Sequence, residues 1–379
     1  MSTIGLIVFR YIKMKVANIT LHAIDNYGSV LQTYATEYIF RMLGCEVITI
    51  DYVRKTARMG FFDIIKAKNI GLNLKIKTLI VHLFFRDKDR RDKFNDFRKK
   101  HLTLSRRYYS NDELKSYLPD ADIYCTGSDQ TWNTVCQGGV PKAFFLDFAP
   151  DEKKKISFAA SFGIKELPER DVFEVKNLLK KYSAISVREK SGVDILKNQL
   201  KIDSTLVLDP TLAVPSEVWN ELCAPQKYKE DYLLAYQLNR STRFTKFMQT
   251  FAQNKGLKII LIRARKERGI KNCKCLTSVS PQEWLSLIKN AKYVLTDSFH
   301  CTAYCILFHK PFMNILPPDY SDRVVNILNE TNLTNRIVLD YNDFSLADKP
   351  INFSEIDLWL KYERDKTFKF LQKALMDEH

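Results

Sequence analysis

Hydrophobic positions along the chain follow two alternating patterns. Short apolar runs of strand length, the first beginning at Val16, are separated by stretches in which apolar residues recur every three or four positions. This alternation is typical of parallel sheets covered by helices. The predicted strands are VANITLHA, CEVITIDY, ADIYCTG, ISFAAS, AISVRE and STLVLDP, followed after Pro215 by YLLAYQL, KIILIRA, AKYVLTD and FMNIL.

The alternation starts twice, which predicts an α/β chain with two doubly wound, Rossmann-like domains. A length of 379 residues with 45% hydrophobic composition can supply two cores. We expect an N-terminal extension at residues 1–15, disordered or dispensable, a first domain at 16–210, a second at 211–345, and a C-terminal segment at 346–379 whose helix crosses back to the first domain. Helices are predicted near 242–254, 281–290, 299–308 and 354–375.

The formal charge of +15 is concentrated in one predicted insertion of the first domain. Residues 54–107 contain 17 Lys or Arg and 5 Asp or Glu. A charge this local indicates an anionic partner at one surface, either a membrane leaflet or a nucleic acid. Within it, residues 61–85 mix apolar side chains with lysines, which fits either an interfacial membrane helix or an ordinary amphipathic helix covering the sheet.

Other features of the composition narrow the class of protein. No run of eighteen apolar residues occurs without a charge, and the first fifteen residues lack a signal-peptide pattern. We therefore expect a cytoplasmic protein, with peripheral contact at the inner face of the membrane as an option for the basic insertion. The eight cysteines form no C-x-x-C pair and have no histidine at ligand spacing, so no metal site is predicted.

The first predicted strand ends in DNYGSVLQTYA, where a glycine-containing loop leads into a helix. Ligands of parallel sheets bind beyond the carboxyl ends of the strands, where the free N–H groups of a helix start can hold an anion. The candidate binding residues are Asn26, Tyr27, Gly28 and Gln32. The alternative is that Gly28 is present only because the turn needs a backbone conformation that glycine adopts easily.

The third predicted strand opens into the polar segment GSDQTWN. Directional polar groups and a flat ring suit a hydroxyl-rich sugar, although a capped turn with a buried tryptophan would have the same composition. The candidate sugar-binding residues are Ser128, Asp129, Gln130, Trp132 and Asn133.

Two further strands end in SFAASFG and AISVREKSG, at what should be the same sheet edge. Ser161 is a further candidate for sugar binding. Arg188 can hold a carboxylate or phosphate through two parallel N–H bonds. The alternative for Arg188 is an ion pair with Glu189 or Asp194 in a surface turn.

The segment KYVLTDSFHCTAYCILFHKPF contains the candidate acid. Asp297 or Ser298 can cap a helix, and His300 lies in the first turn of that helix, facing the predicted interdomain cleft. The helix dipole disfavours a charged imidazole there, whereas a bound phosphate and carboxylate would raise the pKa of His300. Further cations of the second domain that fit either the cleft or solvated surface are Arg263, Arg265, Lys266 and Arg323.

Taken in order, NYGSVLQ, GSDQTWN, AASFG, SVRE, LDPTL, TDSFHCTA and HKPF resemble the polysaccharide pyruvyl transferase family, over about Val16 to Arg336. The resemblance implies two facing domains arranged as in B-type glycosyltransferases, with the acceptor on the first domain and the donor on the second. It implies phosphoenolpyruvate as co-substrate, a sugar acceptor bridged into a pyruvate ketal, and no further cofactor.

By motif, His300 resembles the general acid that protonates the methylene carbon of the donor, and Arg188 resembles an arginine that contacts the donor. Asp129 is the candidate acceptor of the hydroxyl proton, with Asp297 as the alternative. The default acceptor is galactose bridged at its 4 and 6 hydroxyls, within a lipid-linked precursor. Ser298, Arg263, Arg265 and Arg323 are assigned to the donor.

Two other functions fit parts of the sequence. A B-type glycosyltransferase with a nucleotide sugar would share the fold, the cleft and the helix start. A non-catalytic protein that binds a membrane or nucleic acid would explain the basic segment, but no nucleic-acid-binding signature is present, so we predict no nucleic-acid partner.

Overall fold

The computed structural model describes residues 14–53, 88–263, 270–316 and 322–376. The predicted N-terminal extension falls almost entirely outside these residues. The stretch 61–85, Arg265 and Lys266 also lie outside them.

The first sheet has five parallel strands in the order β3-β2-β1-β4-β5. Beyond β5, isolated parallel bridges such as that between Ala160 and Val187 connect this sheet to two short strands, β6 and β7, which pair with each other. The strands are β1 (Lys15–Ile19), β2 (Glu46–Tyr52), β3 (Leu104–Tyr108), β4 (Ile123–Thr126), β5 (Lys154–Ser157), β6 (Ser186–Val187) and β7 (Thr205–Leu206).

The second sheet repeats this topology, with five parallel strands in the order β10-β9-β8-β11-β12. Both sheets have the strand order of a doubly wound domain, so the predicted fold class is confirmed. The strands are β8 (Tyr232–Tyr236), β9 (Lys258–Ile262), β10 (Cys273–Leu276), β11 (Tyr293–Thr296) and β12 (Phe312–Asn314).

The strands are connected and covered by α-helices. In the described residues these are α1 (Tyr27–Met42), α2 (Lys88–His101), α3 (Asn111–Ser116), α4 (Thr134–Gln137), α5 (Glu169–Leu179), α6 (Lys190–Asp194), α7 (Pro210–Ala213), α8 (Ser216–Leu222), α9 (Thr242–Asn254), α10 (Pro281–Lys289), α11 (Phe299–Leu307), α12 (Asp322–Glu330) and α13 (Phe353–Met376). The four helices that the apolar period predicted, near 242–254, 281–290, 299–308 and 354–375, are present as α9, α10, α11 and α13.

Two strands were missed by the sequence analysis, and both lie at a sheet edge. β3 has the sequence LSRRY and β10 has CKCL, and most of their residues are partly or fully exposed. An edge strand is covered less than a central strand, so it lacks the continuous apolar run by which buried parallel strands are recognised.

An aromatic cluster joins the two domains. Tyr27 of α1 stacks on Trp284 of α10 with ring centroids 5.0 Å apart, and its hydroxyl donates to the carbonyl of Val279. Tyr304 of α11 meets Trp284 edge to face at 5.5 Å. These side chains are fully buried and belong to one hydrophobic cluster that contains residues of both sheets. The domains are therefore packed against each other along one side.

The C-terminal helix α13 lies across α7. Arg364 donates to the carbonyls of Leu212 and Val214, and the hydroxyl of Thr367 accepts from the N–H of Leu208. These bonds fix the segment that follows β7, immediately beside the candidate site.

Candidate active site

Two helix starts, one from each domain, meet at the candidate site. The side chain of Asn26 caps α1 by accepting from the N–H of Ser29, and Ser298 caps α11 by accepting from that of Cys301. A Cβ atom added to Gly28 would lie 2.0 Å from Nδ1 of His300. Because Gly28 has no side chain, the imidazole ring of the second domain can lie directly against the first turn of α1.

Arg188 is the centre of a buried network beside this contact. Its Nη1 donates to Asp209 at 2.6 Å and to Ser128 at 3.1 Å, and its Nη2 donates to Asp129 at 3.3 Å. The guanidinium also lies 5.3 Å from the ring centroid of Phe299, a cation–π distance. Arg188 thus joins the loop after β4, the start of α7 and the start of α11.

Glu189 is a partner of Arg188, as the alternative interpretation of the sequence proposed, but it is not the main one. The Nε atom of Arg188 lies 3.6 Å from Oε2 of Glu189, which is beyond hydrogen-bond distance. The other oxygen of Glu189 accepts from the hydroxyl of Ser161 and from the N–H of Gly163. The pair is buried within the site and does not form a surface turn.

Asp129 links the two sides of the first domain. Its Oδ2 accepts from the Ser29 hydroxyl of α1 at 2.6 Å, while Oδ1 faces Arg188. Burial opposes ionisation, but the charges of Arg188 and Arg323, together with that of His300 once its ring is protonated at low pH, hold the pKa of Asp129 well below its usual range. The backbone of Asp129 has φ +80°, a strained value for a residue with a side chain.

His300 is a buried imidazole with an unpaired nitrogen. Its Nε2 has no hydrogen-bond partner among the described residues and lies 3.9 Å from Oδ2 of Asp209. Burial lowers the pKa of His300 to about 4; Asp209 and Asp129 oppose this shift, and Arg188 and Arg323 add to it. At neutral pH the ring is therefore uncharged in this state of the site.

Arg323, at the start of α12, is a partly buried cation close to Arg188. It makes no hydrogen bond or ion pair with any residue that the structure describes. Burial and the neighbouring charge of Arg188 both lower the pKa of Arg323. Arg188 is already paired with Asp209 and Asp129, whereas Arg323 is a cation without a partner among the described residues, to which an anion could bind.

Two aromatic candidates for sugar binding are corrected by the structure. Trp132 is fully buried; its ring stacks on Phe145 and its indole N–H donates to the carbonyl of Phe144. Tyr27 is equally buried, in the cluster between the domains. Neither ring has surface that could contact a sugar, because both are taken up by core packing.

Other predicted residues support the loops instead of facing the cleft. Gln32 is buried and donates to the hydroxyl of Thr20, and Asn133 is buried and caps α4. Gln130 packs against Gly163, where an added Cβ would lie 2.4 Å from its Nε2. The guanidinium of Arg263 donates to the side chains of Gln237 and Thr245 of the second domain.

Asp209 is the main site residue that the sequence analysis did not select. It follows β7, caps α7 from its N-terminus and also bonds the hydroxyl of Thr211. The signal was present in LDPTL, since an Asp before Pro after a buried run is typical of a helix start at a strand end. The same carboxylate also binds Arg188 and faces His300, but these are tertiary contacts that the local sequence pattern does not reveal.

Comparison with known families decides the class of this site. The model of the polysaccharide pyruvyl transferase family matches residues 26–319. The chain belongs to this family. It is therefore an enzyme that transfers pyruvate and functions in polysaccharide biosynthesis. The match begins at Asn26, which caps α1, and includes Asp129, Arg188, Asp209 and His300. Among curated protein sequences, none matches this chain significantly.

Solved structures with the same architecture are distant in sequence. Spinosyn forosaminyltransferase has 10% identity and a TM-score of 0.50, with 95% of this chain and 98% of that chain covered. UDP-GlcNAc 2-epimerase from Neisseria meningitidis, bound to UDP-GlcNAc, has 8% identity and a TM-score of 0.51, with 96% and 100% covered. These similarities place the pyruvyl transferase in the fold of B-type glycosyltransferases and epimerases.

The described residues also bear on a metal site and on a membrane span. No group of three His, Cys, Asp or Glu side chains within them could hold a metal ion. No helix among them is long and apolar enough to cross a membrane.

Proposed function

We propose that this pyruvyl transferase takes its pyruvyl group from phosphoenolpyruvate and forms a ketal on two hydroxyls of a sugar, releasing phosphate. The observation that carries the proposal is the pair Arg188 and Arg323, of which Arg323 has no partner among the described residues, beside the neutral ring of His300. Phosphoenolpyruvate carries a phosphate and a carboxylate, and guanidinium groups bind both kinds of anion.

Donor binding would convert His300 into an acid. The charges of phosphate and carboxylate favour a protonated ring, and they offset the charges of Arg188 and Arg323, which now lower the pKa of His300. The ring would take one proton from solvent as the donor enters. Asp209, 3.9 Å from Nε2, would stabilise the imidazolium.

The reaction then needs one proton delivered to carbon and two removed from oxygen. His300 protonates the methylene carbon, and the adjacent carbon becomes an oxocarbenium-like centre that a sugar hydroxyl attacks. Loss of phosphate regenerates such a centre, and the second hydroxyl closes the ring. Asp129 is the proposed acceptor of one hydroxyl proton, because it is ionised and lies on the first domain near the ring of His300. The released phosphate takes the other hydroxyl proton.

The acceptor would bind on the first domain, near Asn26 and Asp129. Ser128 and Ser161, which the sequence also proposed for sugar binding, are fully buried and donate to Asp209 and Glu189, so they support the loops instead. We propose a galactose bridged at its 4 and 6 hydroxyls, in a lipid-linked precursor of a capsule or related surface polysaccharide. The basic segment 54–107 would hold the cytoplasmic enzyme at the inner face of the membrane. The chemistry is proposed to need no metal, since Arg188 and Arg323 supply the positive charge.

A donor comparison tests the proposal. The enzyme is incubated with a methyl galactoside and either phosphoenolpyruvate or a nucleotide sugar, and released phosphate, released nucleotide and product mass are measured. Phosphate release with a ketal product supports the proposal. Nucleotide release with glycoside formation would instead establish the alternative, a B-type glycosyltransferase.

A further inference from the structure

A cavity of about 740 Å³ lies beside the candidate site, within the first domain. Its lining comes from the loop after β1, the end of β2, helix α2, Arg107 of β3 and Phe144. Asp25 at one edge of the cavity is three residues before Gly28, which touches the ring of His300. The cavity therefore opens beyond the carboxyl ends of two parallel strands, where ligands of such sheets bind.

The polar groups that line the cavity are held in fixed positions. Oδ1 of Asp51 lies 3.1 Å from Nε2 of His22, and its Oδ2 accepts from Nε of Arg107 at 2.7 Å. Arg98 donates to Oδ1 of Asp25 at 2.7 Å and to the carbonyl of His22 at 2.9 Å. Carboxylates and guanidiniums held this way form directional bonds without losing side-chain entropy on binding.

Aromatic rings complete the lining. Tyr52 and Phe144 meet edge to face, with ring centroids 5.5 Å apart, and both line the cavity. Fixed polar groups beside flat apolar surfaces suit a sugar ring, which has hydroxyls at its edge and C–H groups on its faces. The volume lies within the range of about 300–1,000 Å³ that is typical of pockets for drug-sized ligands, which are larger than one sugar ring.

The charges of the lining point to an anionic ligand. Asp25 is neutralised by Arg98 and Asp51 by Arg107. Arg91 of α2 also lines the cavity and makes no hydrogen bond or ion pair with any described residue. One cation is thus left for a ligand, and a guanidinium binds phosphate and carboxylate oxygens in the same forked geometry.

We infer that this cavity binds a second glycosyl unit of the acceptor, next to the sugar that receives pyruvate, and that this unit carries a phosphate ester or a carboxylate. The inference rests on the proposed function, because it takes His300 to mark the position of the reacting sugar. Arg91 is the specificity-determining residue for the acidic group. The enzyme would accordingly prefer an extended, acidic acceptor to a single neutral sugar.

Four acceptors and one substitution test the inference. Methyl galactoside, lactose, lactose 1-phosphate and galactosyl-glucuronic acid are compared by kcat/KM with phosphoenolpyruvate, and their binding is measured separately by calorimetry. We expect lactose to bind better than methyl galactoside, and an acidic disaccharide to bind about tenfold better than lactose. Whether phosphate or carboxylate gives the larger gain identifies the source of the charge.

Arg91→Gln should remove the preference for the acidic disaccharides and leave kcat/KM for methyl galactoside unchanged. The matched control is Arg106→Gln, since Arg106 is an exposed arginine of β3 that pairs with Glu113 and does not line the cavity. The inference is overturned if the wild type binds neither acidic disaccharide better than lactose, or if Arg91→Gln keeps an unchanged preference for the acidic disaccharides.

The two proposals fail differently. If no acceptor yields phosphate from phosphoenolpyruvate, the proposed function fails, while calorimetry still reports whether the acidic disaccharides bind through Arg91. If methyl galactoside is converted as well as the acidic disaccharides and neither of these binds better than lactose, the proposed function stands and the subsite is refuted.

Discussion

The unpaired Nε2 of His300 is the atom on which the proposed chemistry depends. A buried imidazole nitrogen without a hydrogen-bond partner is costly unless a ligand supplies that partner.

We expect His300→Gln to lower kcat at least about a hundredfold, the usual size of an acid–base contribution, with phosphoenolpyruvate binding retained. Rapid-quench turnover and donor titration measure the two quantities. His101→Gln is the control, because His101 lies in α2 and contacts Gln282; full turnover by His300→Gln would refute the acid role.

Gly28 is the residue that permits the contact between the domains. A Cβ atom at this position would lie 2.0–2.5 Å from three atoms of the His300 ring. Gly28→Ala should therefore displace either the His300 ring or the second domain that carries it. We expect a loss of kcat comparable to that of His300→Gln. Gly44→Ala is not a suitable control because of its φ of +80°. Gly192→Ala is the control, because the nearest atoms to an added Cβ there belong to the Val187 side chain, at 3.2 Å and beyond. Wild-type kcat in Gly28→Ala would show that the ring need not lie against α1.

Protonation of His300 also sets a pH dependence of stability. In the unfolded chain the imidazole has its ordinary pKa of 6.5. In the folded chain, burial lowers the pKa of His300 to about 4. The unfolded state binds more protons within this window, so the free energy of unfolding should fall as the pH decreases from about 6.5 to 4. His300→Gln should flatten this part of the curve. Chemical denaturation at several pH values measures it; an equal slope in both proteins contradicts the assignment.

At the scale of elements, the geometry at His300 is produced by short segments that follow strands. Asp209 caps the four-residue helix α7, and this helix is too short to hold its position without neighbours. Helix α13 supplies them through Arg364 and Thr367. A helix near the end of the chain thereby positions a carboxylate at the active site of the first domain.

The contact between α13 and α7 can be removed by a substitution in α13 that changes no residue of the site. Arg364→Ala should destabilise the enzyme by about 1–3 kcal/mol, because the carbonyls of Leu212 and Val214 lose their donors. Hydrogen exchange of residues 208–214 should rise, and kcat should fall as Asp209 loses its place. Lys361→Ala alters an exposed residue of the same helix and serves as the control. Unchanged exchange at 208–214 would show that α7 holds its position without Arg364.

At the scale of the whole molecule, the two domains share part of their core. Tyr27, Trp284 and Tyr304 pack together across the junction, and Trp219 meets Tyr304 edge to face at 5.1 Å. The two cores that the composition predicted are therefore continuous through this cluster. Because Tyr27 lies at the start of α1 and Tyr304 lies in α11, the junction also fixes how the starts of these two helices approach each other at the site.

A shared core predicts that the domains unfold together. Calorimetry of the wild type should show one cooperative transition, and Trp284→Ala should lower the free energy of unfolding by about 3–5 kcal/mol, the usual cost of removing a buried tryptophan. Trp132→Ala, which removes a tryptophan packed within the first domain, provides a comparison of equal size change. Two separate transitions in the wild type would contradict the coupling.

The sequence by itself determined the class of fold, because a buried parallel strand must be apolar along its whole length and a covering helix must repeat its apolar residues every three to four positions. It also indicated His300, Arg188 and Asp129, since polar residues directly after buried strands come together at one sheet edge. The sequence did not predict β3 and β10, because these edge strands lack the apolar run of a buried strand. It also placed Trp132 at the sugar site, because a buried tryptophan and a sugar-binding tryptophan have the same local sequence pattern.

Only the tertiary structure decided which of these side chains meet. The approach of His300 to Gly28 and the bond from Arg188 to Asp209 join segments that are distant in sequence, and Arg323 finds no partner among the described residues. The physical reason is that strand and helix patterns arise from interactions between near neighbours in the chain, whereas the charge balance and solvation of a buried site depend on groups that only the folded chain brings within a few ångströms of each other.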